Sequence, residues 1–200
     1  MTKLHIGSGP QILKGWINID NAEYRGVDRI LDVTKGLPFP DGEASFVFAE
    51  HFIEHLTYEQ AAALFRECRR VMRDDGVLRL STPNLDWVWI THYKEVMDDP
   101  TQVKACFAIN RAFRGWGHHF LYNFRTLALT LQEAGFANVK RVEYGESEYK
   151  ELRKLERHEL SPAWGSFSSI LIVEATGRGA ANTRDLNEPR KEFLRDMKLK

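Results

Sequence analysis

A single α/β domain built on a largely parallel sheet is the fold class this 200-residue sequence predicts. Three observations carry that expectation. Short apolar runs, Lys3–Ile6 and Val77–Ser81 among them, alternate with stretches whose apolar residues recur at helical spacing. The run Ser45–Ala49 is apolar almost throughout, as a strand covered on both faces requires. Hydrophobic residues make up 43% and charged residues 28%, ordinary proportions for one globular core of this length.

Each element follows in order. Lys3–Ile6 and Trp16–Ile19 are the first two strands, and Arg29–Val33 is a short third, closed by Asp32. The turn-rich Gly36–Gly42 then leads into Ser45–Ala49. Thr57 with Gln60 three residues on is a capping-box pattern, and Leu64, Phe65, Cys68, Val71 and Met72 form one stripe behind it. Gly76 stops that helix, and Val77–Ser81 is the next strand, ended by Thr82-Pro83-Asn84. Residues 85–118 match no core element and scatter Trp87, Trp89, Phe107, Phe113 and Trp116 among polar residues. A loop of that length in a compact domain is usually functional, so the segment reads as a lid-like insertion. Phe124–Ala134 is an amphipathic helix with Leu127, Ala128 and Leu131 inward and Gly135 as its C-terminal cap. Glu146–Glu159 reads as a charged helix between two closing strands, Val139–Tyr144 and Ser169–Ala175. Those strands have no room for a full crossover of the usual pattern, so the last is expected to be antiparallel. Residues 1–176 form the domain, and 177–200 a charged, loosely ordered tail.

Twenty-eight basic residues balance 28 acidic ones, which argues against a general nucleic-acid binder. Cys68 and Cys106 lie far apart in helix-like segments and read as free buried thiols of a reducing compartment. The chain shows no apolar run of the ~20 residues that span a bilayer and no basic-then-apolar leader. The expected setting is cytoplasmic.

The most informative stretch is the N-terminal one. The first strand runs into Gly7-Ser8-Gly9, where no Cβ keeps a ligand from the backbone. The second ends at Asp20, an acid placed to accept both hydroxyls of a ribose. Together they describe a nucleoside site at the edge of a sheet.

Four stretches then resemble class I S-adenosylmethionine (SAM) dependent methyltransferases of the small-molecule type: Leu4–Gly9, Leu37–Phe48, Glu50–Leu56 and Leu64–Leu80. Leu131–Phe136 is similar to that family's late helix end. The resemblance implies a Rossmann-like seven-stranded sheet with an antiparallel last strand and SAM across the carboxyl ends of the first strands. Carried over, Gly7 and Gly9 would pass under SAM, Asp20 would bind its ribose, and Asp32 would sit near the adenine amine. Glu50 and His51 would border the methionine end and the reacting centre. Two features depart from the family: His5 stands where an acid is common, and residues 10–15 are too few for the first crossover helix, which is shortened or absent.

The expected function is transfer of a methyl group from SAM to a hydroxyl, amine or carboxyl of a small or sugar-like acceptor. A neutral imidazole suits proton removal near pH 7, and His51, His118 and His119 are the catalytic candidates. The competing reading is a methyltransferase fold with weak or no catalysis, serving as a partner subunit; a homodimer is left open. A nicotinamide site fits poorly, because Ile12 occupies the third glycine position of G-x-G-x-x-G. No metal site is expected: His51, Glu54 and His55 lack the Cys pair and the fourth ligand of a structural zinc site.

Overall fold

The computed structural model describes residues 1–94, 101–158, 160–163, 165–180 and 183–198. Seven strands form one sheet: β1 (Thr2–Ile6), β2 (Ile17–Asp20), β3 (Arg29–Ile30), β4 (Ala44–Glu50), β5 (Met72–Pro83), β6 (Asn138–Arg141) and β7 (Ile170–Thr176). Their order is β3-β2-β1-β4-β5-β7-β6. The first five pair in parallel, and β7 runs antiparallel to both β5 and β6. This is the expected Rossmann-like sheet.

Among the described residues five α-helices accompany it: α1 (Tyr58–Val71), α2 (Leu85–Trp89), α3 (Thr101–Arg114), α4 (Phe124–Glu133) and α5 (Arg184–Met197). The capping box of α1 is formed on both sides, Thr57 accepting from Gln60 N and Gln60 from Thr57 N. Its stripe of Leu64, Phe65, Cys68 and Val71 packs with Leu127 and Leu131 of α4 onto Leu4, Ile6, Val47 and Leu78 of the sheet.

β1 and β2 are adjacent, paired at Leu4↔Ile17, and residues 7–16 join them without a helix. The Asn18 side chain organises that link. Its Oδ1 accepts from Leu13 N at 2.9 Å, and its amide donates to Leu13 O and Trp16 O. The polar backbone of the link is thereby satisfied away from water. Leu13 and Trp16 can then cover Phe46, Phe48 and Val77 on the face that a crossover helix would otherwise shield.

Several local expectations give way. Helix α1 ends at Val71, not Gly76, because Met72 already joins β5 and is fully buried. Gly76 lies instead where the β4–β5 register shifts, with the carbonyl of Ala44 3.1 Å from where a Cβ would stand. The third strand is only two residues long, and Val33 belongs to a 3₁₀ turn. Residues 85–118 are largely helical where described, with Val88, Ala112 and Leu121 forming a small cluster of their own. Residues 95–100 of that insertion lie outside the described residues. Cys68 is buried as expected, but Cys106 is exposed on α3.

Glu146–Glu159 is not a helix: only Lys150–Leu152 forms a 3₁₀ turn, and Glu159 lies outside the described residues. A buried arginine overrides the local pattern. Arg79 on β5 donates to Glu156 Oε1 at 2.6 Å, to Glu174 Oε1 at 2.7 Å and to the carbonyl of Glu146 at 2.8 Å. The segment is thus tied down at both ends. The C-terminal region is a docked helix where it is described: Leu186 is buried, Phe193 packs edge-on to Phe120, and Arg190 pairs with Glu133. Among the described residues no helix is long and apolar enough to cross a membrane.

Candidate active site

The carboxyl edge of the sheet gathers two groups of residues. The first surrounds the glycine loop. Gly7 and Gly9 have φ of 64° and 51°, a region that side-chain-bearing residues rarely adopt. A Cβ on Gly7 would stand 2.3 Å from the Phe52 ring, whereas one on Gly9 would meet nothing within 4 Å. The two glycines therefore do different work: Gly7 lets Phe52 approach, and Gly9 faces open space. Asp20 closes the loop from β2, accepting from Gly9 N at 2.8 Å and from Ala22 N at 2.9 Å. A carboxylate has about four acceptor positions, so room remains for hydroxyl donors.

Asp32 is engaged locally. It accepts from the Thr34 hydroxyl at 2.6 Å and Thr34 N at 3.0 Å, bonds that hold its carboxyl below the usual range. It lies next to the second strand, since Leu31 N donates to Asp20 O. His5 is buried, donates from Nδ1 to Asn18 Oδ1 at 3.1 Å and stacks on Phe48. Burial pushes its pKa down, against smaller opposing effects of Asn18, Glu50 and Asp20. Its place is structural: a neutral imidazole that links β1 to the residue organising the first connection.

The second group starts where β4 ends. Glu50 Oε1 accepts from the backbone N–H groups of Arg157 at 2.7 Å and His158 at 3.0 Å. It thus holds the 157–158 loop against the sheet edge. His51 adopts φ of 44°, strained for a non-glycine residue, while its N–H stays bonded to Ser81 O. Its ring stacks on that of His158 with centroids 3.9 Å apart. Its Nδ1 lies 3.1 Å from Glu54 Oε1. Glu54 is fully buried, and its Oε2 accepts from the Thr82 hydroxyl at 2.9 Å.

A cavity of about 280 Å³ opens beside this group, between the end of β5 and the insertion. His51, Trp87, His92, Arg111, His118 and His158 are among the residues that line it. His118 donates from Nδ1 to Ala112 O at 2.8 Å, which leaves Nε2 with its lone pair. Of the three candidate histidines, the structure brings His51 and His118 to one cavity. The third, His119, has an exposed side chain, and its backbone N–H is bonded to Glu54 O at 2.7 Å.

His158 was missed from sequence because a helical reading of 146–159 turned it away from the sheet. Its stacking depends on the Glu50 bond to its backbone, a contact across 108 positions. Glu54 reads from sequence as a helix-start residue, and only its burial under Thr82 separates it from one. The repeat of Glu-His at 50–51 and 54–55 is the one signal that could have drawn attention to it.

Residues 8–80 match the family described as methyltransferase domain. A search of curated proteins gave no match. Among solved structures, the chain is similar to a SAM-dependent methyltransferase of Thermotoga maritima described as a possible histamine N-methyltransferase. That similarity has a TM-score of 0.56 and 16% identity, covering 88% of this chain and 81% of the other. A SAM-dependent methyltransferase of Archaeoglobus fulgidus gives 0.56 and 20% identity, over 87% and 85%. One from Mesorhizobium loti gives 0.53 and 14% identity, over 87% and 89%. At such identities these likenesses establish the fold.

Proposed function

We propose that this chain, which has the class I SAM-dependent methyltransferase fold and a methyltransferase-domain match from its glycine loop to β5, transfers a methyl group from SAM to a small acceptor. The observation that carries the proposal is the Gly9–Asp20 junction: an open glycine and a carboxylate with spare acceptor positions, joined at the carboxyl edge. In this reading Asp20 binds the ribose, the Gly7–Gly9 loop runs beneath SAM, and Asp32 stands towards the adenine. Glu50 and His51 border the methionine end, and the acceptor occupies the cavity next to them.

SAM brings an activated methyl group, so the protein's task is in-line placement and exclusion of water. Held by Asp20 and the Gly7–Gly9 loop, SAM would supply its sulfonium-bound methyl group to a lone pair on the acceptor oxygen or nitrogen. A hydroxyl or amine acceptor also gives up a proton. His51 and His118 are the side chains lining the cavity that the sequence selects for that step, with His119 outside it.

Titration calorimetry with SAM and S-adenosylhomocysteine tests the proposal. Asp20→Ala removes a charged acceptor, on the order of 1.5–3 kcal/mol, and is expected to weaken SAM at least tenfold. Equal affinity in parent and variant removes Asp20 from the site. The helix-free link between β1 and β2 and the Phe52 ring over Gly7 favour a second reading, a fold kept as a partner subunit. Failure of the parent to bind either compound selects it.

A further inference from the structure

We propose that Glu54, His55 and His118 form a site for one divalent transition-metal cation of the zinc class. This revises the expectation of no metal site. A carboxylate oxygen of Glu54 and one ring nitrogen from each histidine lie within 4.8 Å of one another. Tetrahedral ligands bonded at ~2.0–2.2 Å stand about 3.4 Å apart, so the three groups must close by roughly 1 Å or more, which rotation of the two partly exposed histidine side chains allows. A structural zinc site takes four ligands, and three are present here. Three ligands with an open position are instead the pattern of sites that hold water or substrate. Two imidazoles with one carboxylate favour this class over magnesium or calcium, which take oxygen ligands.

A second observation stands apart from that spacing. Glu54 is fully buried, and its Oε1 accepts no hydrogen bond. Among the described residues no lysine or arginine pairs with it, and its one ion-pair neighbour there is the ring of His51, 3.1 Å from Oε1 but not aligned for a hydrogen bond. A buried carboxylate oxygen without a hydrogen bond is costly, and a cation facing it would offset that cost.

The surroundings hold two of the three ligands, Glu54 and His118, as metal sites require. Thr82 donates to the other oxygen of Glu54. Ala112 O takes the Nδ1 proton of His118, which leaves Nε2 as the free donor atom. The N–H groups of His119 and Phe120 both donate to the Glu54 carbonyl, at 2.7 and 3.3 Å, and so fix the His118 backbone beside the acid. Gly117 follows Trp116 in the same left-handed turn, with φ of 77° and 55°, which aims the chain back to this point.

Because His118 also lines the cavity, a cation here faces the acceptor and can hold one of its oxygens. That role rests on the methyl-transfer reading; binding of the cation does not. Ligation also takes His118 out of the set of proton acceptors.

The test is titration of the chelator-stripped full chain with Co2+, followed by visible absorption and calorimetry, with SAM titrated in parallel. One Co2+ per chain is expected, displaced by Zn2+, with a cation-dependent rise in melting temperature. His55→Ala and His118→Ala, both at partly exposed positions, should each weaken Co2+ at least tenfold and keep the melting temperature of the metal-free parent. A parent that takes up no stoichiometric Co2+, or two variants that bind it as the parent does, overturns the site. A parent that binds SAM but takes up no Co2+ overturns the metal alone. Co2+ bound with no affinity for SAM supports the site and removes the methyl-transfer reading.

Discussion

Arg79 is fully buried in the middle of β5 and pairs with two equally buried acids, Glu156 and Glu174, the second of which also has Lys140 at 3.8 Å. Desolvating three charges is tolerable only while all are present, since each alone would be an unpaired charge in the interior. Arg79→Met is therefore expected to destabilise the fold by about 3–5 kcal/mol in urea unfolding. Adding Glu156→Gln and Glu174→Gln to that variant should recover much of the loss, because no bare carboxylate is left. Little recovery would mean that the arginine stem, not its charge, holds the 146–156 segment. The same contrast between a charge and its partners separates Asp20 from Asp32. Asp20 reaches across to the glycine loop, while Asp32 spends its contacts on the Thr34–Lys35 turn beside it.

At the scale of elements, the insertion 85–118 is the piece whose packing differs from the rest. Its apolar contacts are a small cluster around Val88, Ala112 and Leu121, while Trp89, Phe107, Phe113 and Trp116 stay exposed. Segments with few buried contacts open at low free-energy cost. As a lid over the cavity, the insertion should be the first site of limited proteolysis. SAM together with an acceptor should slow that cleavage several-fold. Cleavage at an unchanged rate would leave the insertion as a surface attachment with no part in closure. The helix-free link from β1 to β2 is the opposite case. Asn18 and the buried Leu13 and Trp16 tie it to the sheet, so it should be among the last parts to be cut.

For the molecule as a whole, His5 and Glu67 are among the groups that set how stability responds to acid, and burial lowers the pKa of His92 in the same direction as that of His5. Burial lowers the pKa of His5 from its ordinary value of 6.5, so the folded chain takes up this proton less readily than the unfolded chain. Stability should therefore fall as pH drops below about 6.5. Glu67 behaves differently: its bond to Arg70 first, and that from Leu37 N, hold its pKa down to about 2 from 4.5. Its contribution is present above about 4.5 and is lost as pH falls towards 2. Melting temperature against pH should decline in these two ranges. His5→Asn should flatten the upper one and Glu67→Gln the lower. An upper range that is unchanged in His5→Asn would assign it to another group.

What the sequence determined by itself is the sheet and the two helices packed on it, α1 and α4. The apolar runs, the capping box at Thr57 and the Gly135 cap are local signals whose physics acts over a few residues. The shortness of the link after Ile6 was legible in the same way, because a helix cannot fit in so few positions. Glycine and acid at the ends of β1 and β2 were legible as neighbours at one sheet edge, and the structure joins them through Gly9 N. Tertiary structure alone decided the rest. Residues 146–159 carry helical composition, but a buried guanidinium outweighs weak local propensity and ties residues 146–156 down as a series of turns. The docking of α5 depends on an apolar face on α4 that its own charged sequence does not disclose. The Glu54–His55–His118 cluster joins residues more than sixty positions apart, and it exists only because two backbone bonds bring the chain after Gly117 onto the Glu54 carbonyl. Contacts of that kind are long-range and polar, and no periodicity in a sequence encodes them.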